Sequence, residues 1–260
     1  MSIVLAALDS DPSAQSVLDA ALRVGELTNT DVEAVHITTA DDENVKARTD
    51  RAHVPLHLLP GPLEPALLQA VDAPDVLAAI IGTKAAADDR RLLGTTAGHI
   101  IGRSTKPVVV VPPEFTSSGP FRHLLIPLEG TEVSSRPVLE VLLPLLSADV
   151  ELIVIHVFSE FTVPAMLDHP VRDLEILGKE FLSRHLPHHD ASIVLRHGPV
   201  GTQVADVCDE YDADLIVLSW SQDTRAGRAR VVRQILGAAK LPILLFPLRQ
   251  NGLIQADSLH

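Results

Sequence analysis

The sequence has few aromatic residues, a deficit of basic residues and a single cysteine. Aromatic residues make up 3% of the chain, although 46% of all residues are hydrophobic. A core of valine, leucine, isoleucine and alanine favours buried parallel strands over an all-β sandwich. The lone cysteine, Cys208, excludes an intrachain disulfide and is typical of a reducing compartment.

The deficit of basic residues gives the chain a formal net charge of −13 at pH 7. Sequence-independent binding to nucleic acid or to an anionic membrane needs a basic surface, so neither function is expected. No apolar run reaches the roughly 18–20 residues that span a bilayer. The first residues also lack the basic start of a signal peptide. The sequence therefore predicts a cytoplasmic protein that contacts neither nucleic acid nor membrane.

Short apolar runs alternate with segments of helical periodicity in residues 1–113. The five runs predicted as strands are Ile3–Leu8, Val32–Ile37, Val54–Leu59, Val76–Ile81 and Val108–Val111. Helices are predicted around Val17–Val24, at Glu64–Val71 and at Gly94–Ile101. The polar stretch Asp41–His53 is predicted as a loop or a frayed helical turn, so this crossover is expected to lack a full helix.

The same pattern begins again after a linker rich in proline, serine and glycine. His123–Glu129 corresponds to Ile3–Asp9, and Val138–Glu140 corresponds to part of the first helix. The second copy is longer after His156, where Val171–His185 is predicted as a helix that the first copy has lost. The predicted organisation is a first domain at 1–113, a linker at 114–120, a second domain at 121–250 and a tail at 251–260.

Each copy is predicted to be an open, parallel, five-stranded sheet with helices on both faces, a Rossmann-like α/β fold. Ligands of such sheets bind at the carboxyl ends of the strands. Asp9, His36, Gly82 and Gly94 all fall at that edge. Gly94 also opens a helix, and the unpaired amides at a helix start can hold phosphate. The alternative is that the two glycines provide only a tight strand exit and a closely packed helix start.

These features resemble the universal stress protein family in a tandem two-domain form. In that family an Asp follows the first strand, a His-Val-like pair ends the second, and a G-x2-G-x9-G-[ST] motif follows the fourth. The resemblance implies an adenine nucleotide alpha hydrolase-like fold and a regulatory role in the stress response, usually without robust catalysis. It also implies ATP binding in those members that keep the glycine motif.

The resemblance assigns a degenerate ATP site to the first domain. The cofactor-binding residues that it implies are Asp9, Gly82, Gly94, Thr95 and Thr96. Asp9 matches the residue on the adenosine side, and its alternative role is to cap the following helix. Ala85 stands where the second glycine is expected, and the spacing from Gly82 to Gly94 is one residue short. A methyl group at that position is expected to strain the backbone and to crowd the phosphates.

The second domain departs further from the motif and is predicted to be vestigial. The family residues are replaced by Glu129, Ser219, Gln222 and Ala229-Arg230. One hypothesis is that Arg230, with Arg225 and Arg228, fills the anion site itself. The alternative is that these arginines and Arg233 form a solvated helix face. Trp220 is expected either to cover the vestigial pocket or to meet another domain.

The remaining candidate residues are given structural roles. His36 and His156 end equivalent strands and are predicted to be packed side chains, because no cluster of metal ligands accompanies them. The segment His185–His189 is predicted as an exposed helix end, not a metal site. Cys208 is expected to be a small buried thiol with no neighbour that lowers its pKa. No catalytic residue and no metal ligand is assigned.

The sequence thus predicts a regulatory ATP-binding protein whose two domains pair within one chain. The apolar last strands, Pro107–Val111 and Pro242–Phe246, are the expected interface of this pseudo-dimer. A homodimer and an unidentified protein partner both stay open. The alternatives are a nucleotide-hydrolysing enzyme, in which Asp88-Asp89 holds Mg²⁺, and a ligand-free scaffold for protein contacts.

Overall fold

A computed structural model describes most of the chain at the level of individual residues. The described residues are 2–38, 42–83, 95–116, 119–131, 135–136, 138–147, 149–158, 170–222, 230–238 and 240–248. Within these ranges no helix is long and apolar enough to cross a membrane.

Strands and helices alternate along both halves of the chain. The strands are β1 (Ile3–Ala7), β2 (Asp31–Ile37), β3 (Leu56–Leu59), β4 (Val76–Gly82), β5 (Val108–Val111), β6 (His123–Pro127), β7 (Glu151–Phe158), β8 (Ser192–His197), β9 (Leu215–Trp220) and β10 (Ile243–Pro247). The α-helices are α1 (Ala14–Thr28), α2 (Glu43–Ala52), α3 (Leu63–Val71), α4 (Thr95–Arg103), α5 (Pro170–His185), α6 (Val200–Glu210) and α7 (Arg230–Ala238).

The ten strands form a single sheet in the order β3-β2-β1-β4-β5-β10-β9-β6-β7-β8. Within each half all paired strands are parallel. In the first half the strands lie in the order 3-2-1-4-5 from the edge of the sheet to its centre. The five strands of the second half lie in the same order when they are counted from the opposite edge. The predicted α/β fold with parallel sheets is therefore confirmed, although the two sheets are continuous with each other.

The halves meet at the one antiparallel pair in the described sheet, between β5 and β10. Val109 pairs with Leu244 at the centre of this junction, and both side chains are buried. These are the apolar last strands that the sequence predicts as the interface. Because strand pairing satisfies the backbone groups of both edges, the junction leaves neither strand exposed.

Helices cover both faces of the sheet, as the apolar strand sequences predict. One core contains side chains from α1, α2 and α5, and the other contains side chains from α3, α4, α6 and α7. Neighbouring residues of a strand point to opposite faces, so Val109 joins the first core while Val108 and Val110 join the second. The sheet therefore lies between two apolar cores, one on each of its faces.

The prediction that Asp41–His53 lacks a full helix is wrong, because residues 43–52 form the ten-residue helix α2. Most of its residues are polar, but one narrow face of the helix is buried. Val45 and Thr49 lie one turn apart and are fully buried. The Thr49 hydroxyl donates hydrogen bonds to the carbonyl oxygens of Val45 and Lys46, which makes its burial acceptable. The first half has therefore kept the helix that corresponds to α5.

The segment that corresponds to α1 in the second half is not a regular α-helix. Val138–Leu142 forms a π-helical turn and Leu143–Leu145 a 3-10 turn. Pro144 explains the change, because its ring collides with the carbonyl group four residues earlier and it has no amide hydrogen to donate. The apolar residues of the segment still face the sheet, since Val138, Leu142 and Leu143 are buried.

Candidate functional site

A cavity of about 390 Å³ lies at the carboxyl edge of the first-half sheet. It lies where β1 and β4 end and where α1 and α4 begin, with α3 on the remaining side. The described lining residues are Ala7, Leu8, Asp9, Ser13, Ala14, Val17, Val35, Ile37, Leu63, Leu67, Ile81, Gly82, Thr83, Thr96, Ala97 and Ile100. Its volume falls in the range of small-molecule sites, roughly 300–1,000 Å³.

Three of the five predicted ligand-binding residues line this cavity, namely Asp9, Gly82 and Thr96. Thr95 is the first residue of α4, but its side chain lies outside what the structure describes. Gly94 also lies outside the described residues, as does Ala85. The structure thus brings the described part of the predicted site to one place, at the edge of the sheet where the strand pattern predicts a ligand.

Asp9 orders the turn between β1 and α1. Its Oδ1 atom accepts a hydrogen bond from the backbone amide of Asp11 at 3.0 Å. Asp11 in turn accepts bonds from the amide and hydroxyl of Ser13, at 2.9 and 2.7 Å. The N-cap position of α1 is held by Ser13, so the alternative role of Asp9 as the helix cap is not what the fold uses. The carboxylate of Asp9 is fixed beside the cavity.

Gly82 brings β4 and α1 close together at the cavity floor. A Cβ atom added at this residue would lie 3.0 Å from Cγ2 of Val17, which is tighter than ordinary packing. No left-handed backbone is involved, because Gly82 has an ordinary φ. Glycine therefore permits a close approach here, as in the predicted tight strand exit, and leaves the backbone of β4 exposed to the cavity.

The sequence reasoning missed Thr83 and the apolar wall that α3 contributes. The amide of Thr83 donates to the carbonyl of Val111 at 3.0 Å, and its hydroxyl lies 3.3 Å from the same oxygen. Leu63 and Leu67 close the cavity on the opposite side. Their spacing of four residues on a helix is a signal for one shared face, but nothing in the sequence says that this face meets a ligand.

Helix α4 points its first turn at the cavity and its last turn at the second half. Thr96, Ala97 and Ile100 line the cavity. At the other end, the side-chain amide of Gln222 donates to the carbonyl oxygens of Ile101 and Ser104, at 2.9 and 2.8 Å. The start of this short helix therefore lies at the cavity of the first half, and its end contacts the second half.

The equivalent strand-end histidines are packed, as predicted. His36 is 3% exposed, and its Nδ1 donates to the carbonyl of Leu8 at 2.8 Å. His156 makes the same bond to the carbonyl of Leu128 at 2.8 Å. A carbonyl oxygen can only accept, so Nδ1 carries the hydrogen in both rings. Each histidine thus ties the end of the first strand of its half to the end of the second.

The second half places other side chains at the corresponding edge. Trp220 ends β9, where the first half has Thr83, and its indole packs into the core formed with α6 and α7. The indole Nε1 is buried and has no hydrogen-bond partner among the residues that the structure describes. Glu129 is exposed. Arg225 and Arg228 lie outside the described residues, as does the side chain of Arg230, so the hypothesis of an arginine-filled anion site stays a prediction.

Arg233 is exposed on α7 while Val232 and Ile235 are buried, which matches the alternative of a solvated helix face for this residue. The prediction of an exposed helix end at His185–His189 is confirmed for Pro187, His188 and His189, which are exposed. It is wrong for His185, because this ring is 2% exposed and packs 4.5 Å from the ring of Phe181. The described residues contain no group of three or more possible metal ligands.

Cys208 is buried on α6 and is 7% exposed. Burial raises the pKa of its thiol to about 12, and the charge of Asp209 acts in the same direction. The predicted buried thiol, with no neighbour that lowers its pKa, is therefore confirmed.

Comparison with known proteins assigns the second half of the chain. Residues 120–247 match the model of the Universal stress protein family. This segment therefore belongs to the universal stress protein family. Curated protein sequences contain no significant match to the chain.

Solved structures extend the similarity of fold to both halves of the chain. A universal stress protein from Archaeoglobus fulgidus DSM 4304 is 11% identical, with a TM-score of 0.64, and the match covers 95% of this chain and 98% of that chain. A functionally unknown protein from Pseudomonas aeruginosa PAO1 is 13% identical, with a TM-score of 0.65 over 95% and 92% of the two chains. A universal stress protein in complex with cAMP is 16% identical, with a TM-score of 0.36 over 50% and 98%.

Proposed function

We propose that this chain is a regulatory protein that binds one ATP molecule in the cavity of its first half and does not turn it over. One observation carries the proposal: Asp9, Gly82 and Thr96, which are far apart in the sequence, line a single cavity at the carboxyl edge of the sheet. That edge is where open α/β sheets bind their ligands.

The walls of the cavity suit the parts of a nucleotide separately. Apolar side chains such as Val35 and Leu67 offer a dry surface for the flat adenine ring. The carboxylate of Asp9 only accepts hydrogen bonds and therefore suits the hydroxyl groups of a ribose. The first turn of α4 carries backbone amides that have no partner within the helix, together with the positive end of the helix dipole, and both favour phosphate.

The chemistry of the lining favours binding over turnover. Among the described lining residues, Asp9 is the single ionisable side chain. Acid–base catalysis needs a positioned group that gives or takes a proton at the reacting bond, and hydrolysis of a nucleotide commonly adds a metal site. The enzyme alternative relies on Asp88 and Asp89, which lie outside the described residues. Release of inorganic phosphate from ATP at a rate above that of a Thr96→Glu variant would favour that alternative.

The second half is proposed to bind no nucleotide, which sets the expected stoichiometry at one. Gln222 stands at the position of the second motif glycine, and its side chain is already bonded to α4. Trp220 replaces the small Thr83, so an indole occupies space that a threonine leaves open.

Isothermal titration calorimetry with ATP tests the proposal when the unchanged protein is compared with a variant that carries a negative charge on the cavity wall. Thr96→Glu puts a carboxylate where the phosphates are expected, and repulsion should weaken ATP binding by about tenfold or more. A glutamate in the first turn of a helix favours the helix dipole, so the fold should persist. Thr202→Glu is the matched control, because Thr202 is exposed in the first turn of α6.

The expected result is one ATP per chain for the unchanged protein and for Thr202→Glu, with affinity weakened only in Thr96→Glu. Equal affinity in all three proteins would place the nucleotide elsewhere and contradict the proposal. Two molecules of ATP per chain would contradict the account of the second half.

A further inference from the structure

The contact between Gln222 and α4 crosses from one half of the chain to the other. The Nε2 atom of Gln222 donates one hydrogen to the carbonyl of Ile101 and the other to the carbonyl of Ser104. Carbonyl groups in the last turn of a helix have no partner within the helix. The side chain therefore acts as a C-terminal cap for α4, and it uses the full donor capacity of its amide.

The backbone of Gln222 is held in a conformation that usually belongs to glycine. Its φ is +58°, in the left-handed region, where a side chain with a Cβ atom is unfavourable. The residue matches the position of the second motif glycine, and its backbone is left-handed although it is not a glycine. The contacts of the side chain with α4 give a physical reason to keep glutamine at a position where glycine is less strained.

Asp72 anchors the same end of α4 from within the first half. Its Oδ1 atom accepts hydrogen bonds from the hydroxyl of Ser104 at 3.1 Å and from the amide and hydroxyl of Thr105 at 2.8 and 3.1 Å. Asp72 follows α3, which also lines the cavity through Leu67. The end of α4 is thus held by two side chains, Asp72 from the first half and Gln222 from the second half.

A helix of nine residues transmits a displacement of one end to the other, because its backbone hydrogen bonds make it rigid. The end opposite the Gln222 contact carries Thr96 and Ala97 on the cavity wall. We propose that Gln222 is a positioning residue for the cavity of the first half, and that it acts through α4 to fix the helix start that faces the ligand. This inference rests on the proposed function for its ligand.

Paired titrations with ATP and adenosine test the proposal, because α4 faces the phosphates while β1 and β2 face the nucleoside. Gln222→Glu keeps the shape of the side chain but replaces its donor with an acceptor that repels the two carbonyl groups. It should weaken ATP binding about tenfold while changing adenosine binding less than about twofold. A general loss of structure would weaken both ligands together, and no change in either would also overturn the proposal.

Gln222→Gly keeps the test interpretable if the glutamate variant does not fold. It removes the donor but accepts the left-handed backbone without strain, so the fold is expected to persist. The same selective loss of ATP affinity is expected. The control is Gln69→Glu, which makes the same chemical change on the exposed face of α3 and should leave both affinities unaltered.

Hydrogen exchange of residues 95–106 separates this proposal from the proposed function. In the absence of any nucleotide, both Gln222 variants should exchange the amides of α4 about tenfold faster than the unchanged protein and the Gln69→Glu control. If the unchanged protein binds no ATP, the proposed function fails while faster exchange still supports the positioning role. If exchange is unaltered, Gln222 does not hold α4 and the inference is wrong, whatever the protein binds.

Discussion

The Nδ1 atom of His36 lies 2.8 Å from the carbonyl oxygen of Leu8, and the residue that follows Leu8 is Asp9 on the cavity wall. The Nε2 atom of the same ring lies 3.1 Å from the carboxylate of Asp42, at the start of α2. His36 thus ties the end of β1 to the end of β2 and lies next to the start of a helix. The equivalent His156 makes the bond to the end of β6 but lies in the half that is proposed to bind no nucleotide.

Replacement of each histidine by leucine should therefore separate stability from binding. Either variant leaves a strand-end carbonyl without its donor, and we expect each to lose about 1–3 kcal/mol of unfolding free energy in urea titrations. Only His36→Leu should also weaken ATP binding, because it releases the backbone next to Asp9. Unchanged ATP affinity in His36→Leu, or an equal loss in His156→Leu, would contradict this division between the halves.

The strands were predictable because they are buried on both sides and their apolar runs are continuous. The ends of the predicted strands also indicate the carboxyl edge of the sheet, with Asp9 and Gly82 on it, whereas Thr96 follows only from the family resemblance. Helix α2 was not predictable in the same way. Its buried face consists of Val45 and Thr49, and the Thr49 hydroxyl is bonded to a carbonyl group of the same helix. Two buried residues, one of them polar, are too few to give a detectable helical periodicity of apolar residues.

The role of Gln222 could not be predicted for a different reason. Its partners, Ile101 and Ser104, are distant in the sequence and contribute only backbone carbonyl groups, which carry no signature in the side-chain pattern. The position appeared only as a missing glycine. Similarly, the buried ring of His185 depends on a neighbour from its own helix, Phe181, whose orientation toward the core is a tertiary property.

The junction between β5 and β10 predicts that the two halves unfold together. Leu244 is 4% exposed and pairs with Val109, so Leu244→Ala should lower the unfolding free energy by about 2–5 kcal/mol through a cavity at the centre of the sheet. The matched control is Leu58→Ala on the edge strand β3, where the side chain is 48% exposed. That change should cost less than about 0.5 kcal/mol.

Two probes report whether unfolding is concerted. Far-ultraviolet circular dichroism follows the whole chain, whereas fluorescence follows the second half, because Trp220 is the only tryptophan in the sequence. The two thermal transitions should coincide in the unchanged protein and shift together in Leu244→Ala. A circular dichroism transition in two steps, with fluorescence following one of them, would mean that the continuous sheet does not couple the halves.

The thiol of Cys208 predicts how stability depends on pH in the alkaline range. Its pKa is raised from 9.0 to about 12 in the folded chain, mainly by burial. Above pH 9 the unfolded chain releases the thiol proton while the folded chain keeps it, so the unfolding free energy falls as the pH rises toward 12. This contribution is fully present below pH 9 and is absent in Cys208→Ala.

The difference in unfolding free energy between the two proteins should therefore shrink by about 2 kcal/mol between pH 8 and pH 10.5 in urea titrations. All other ionisable groups are common to both proteins, so their contributions cancel in the difference. A difference that stays constant over this range would show that the thiol ionises as readily in the folded chain as in the unfolded one, and that α6 does not seal it from water.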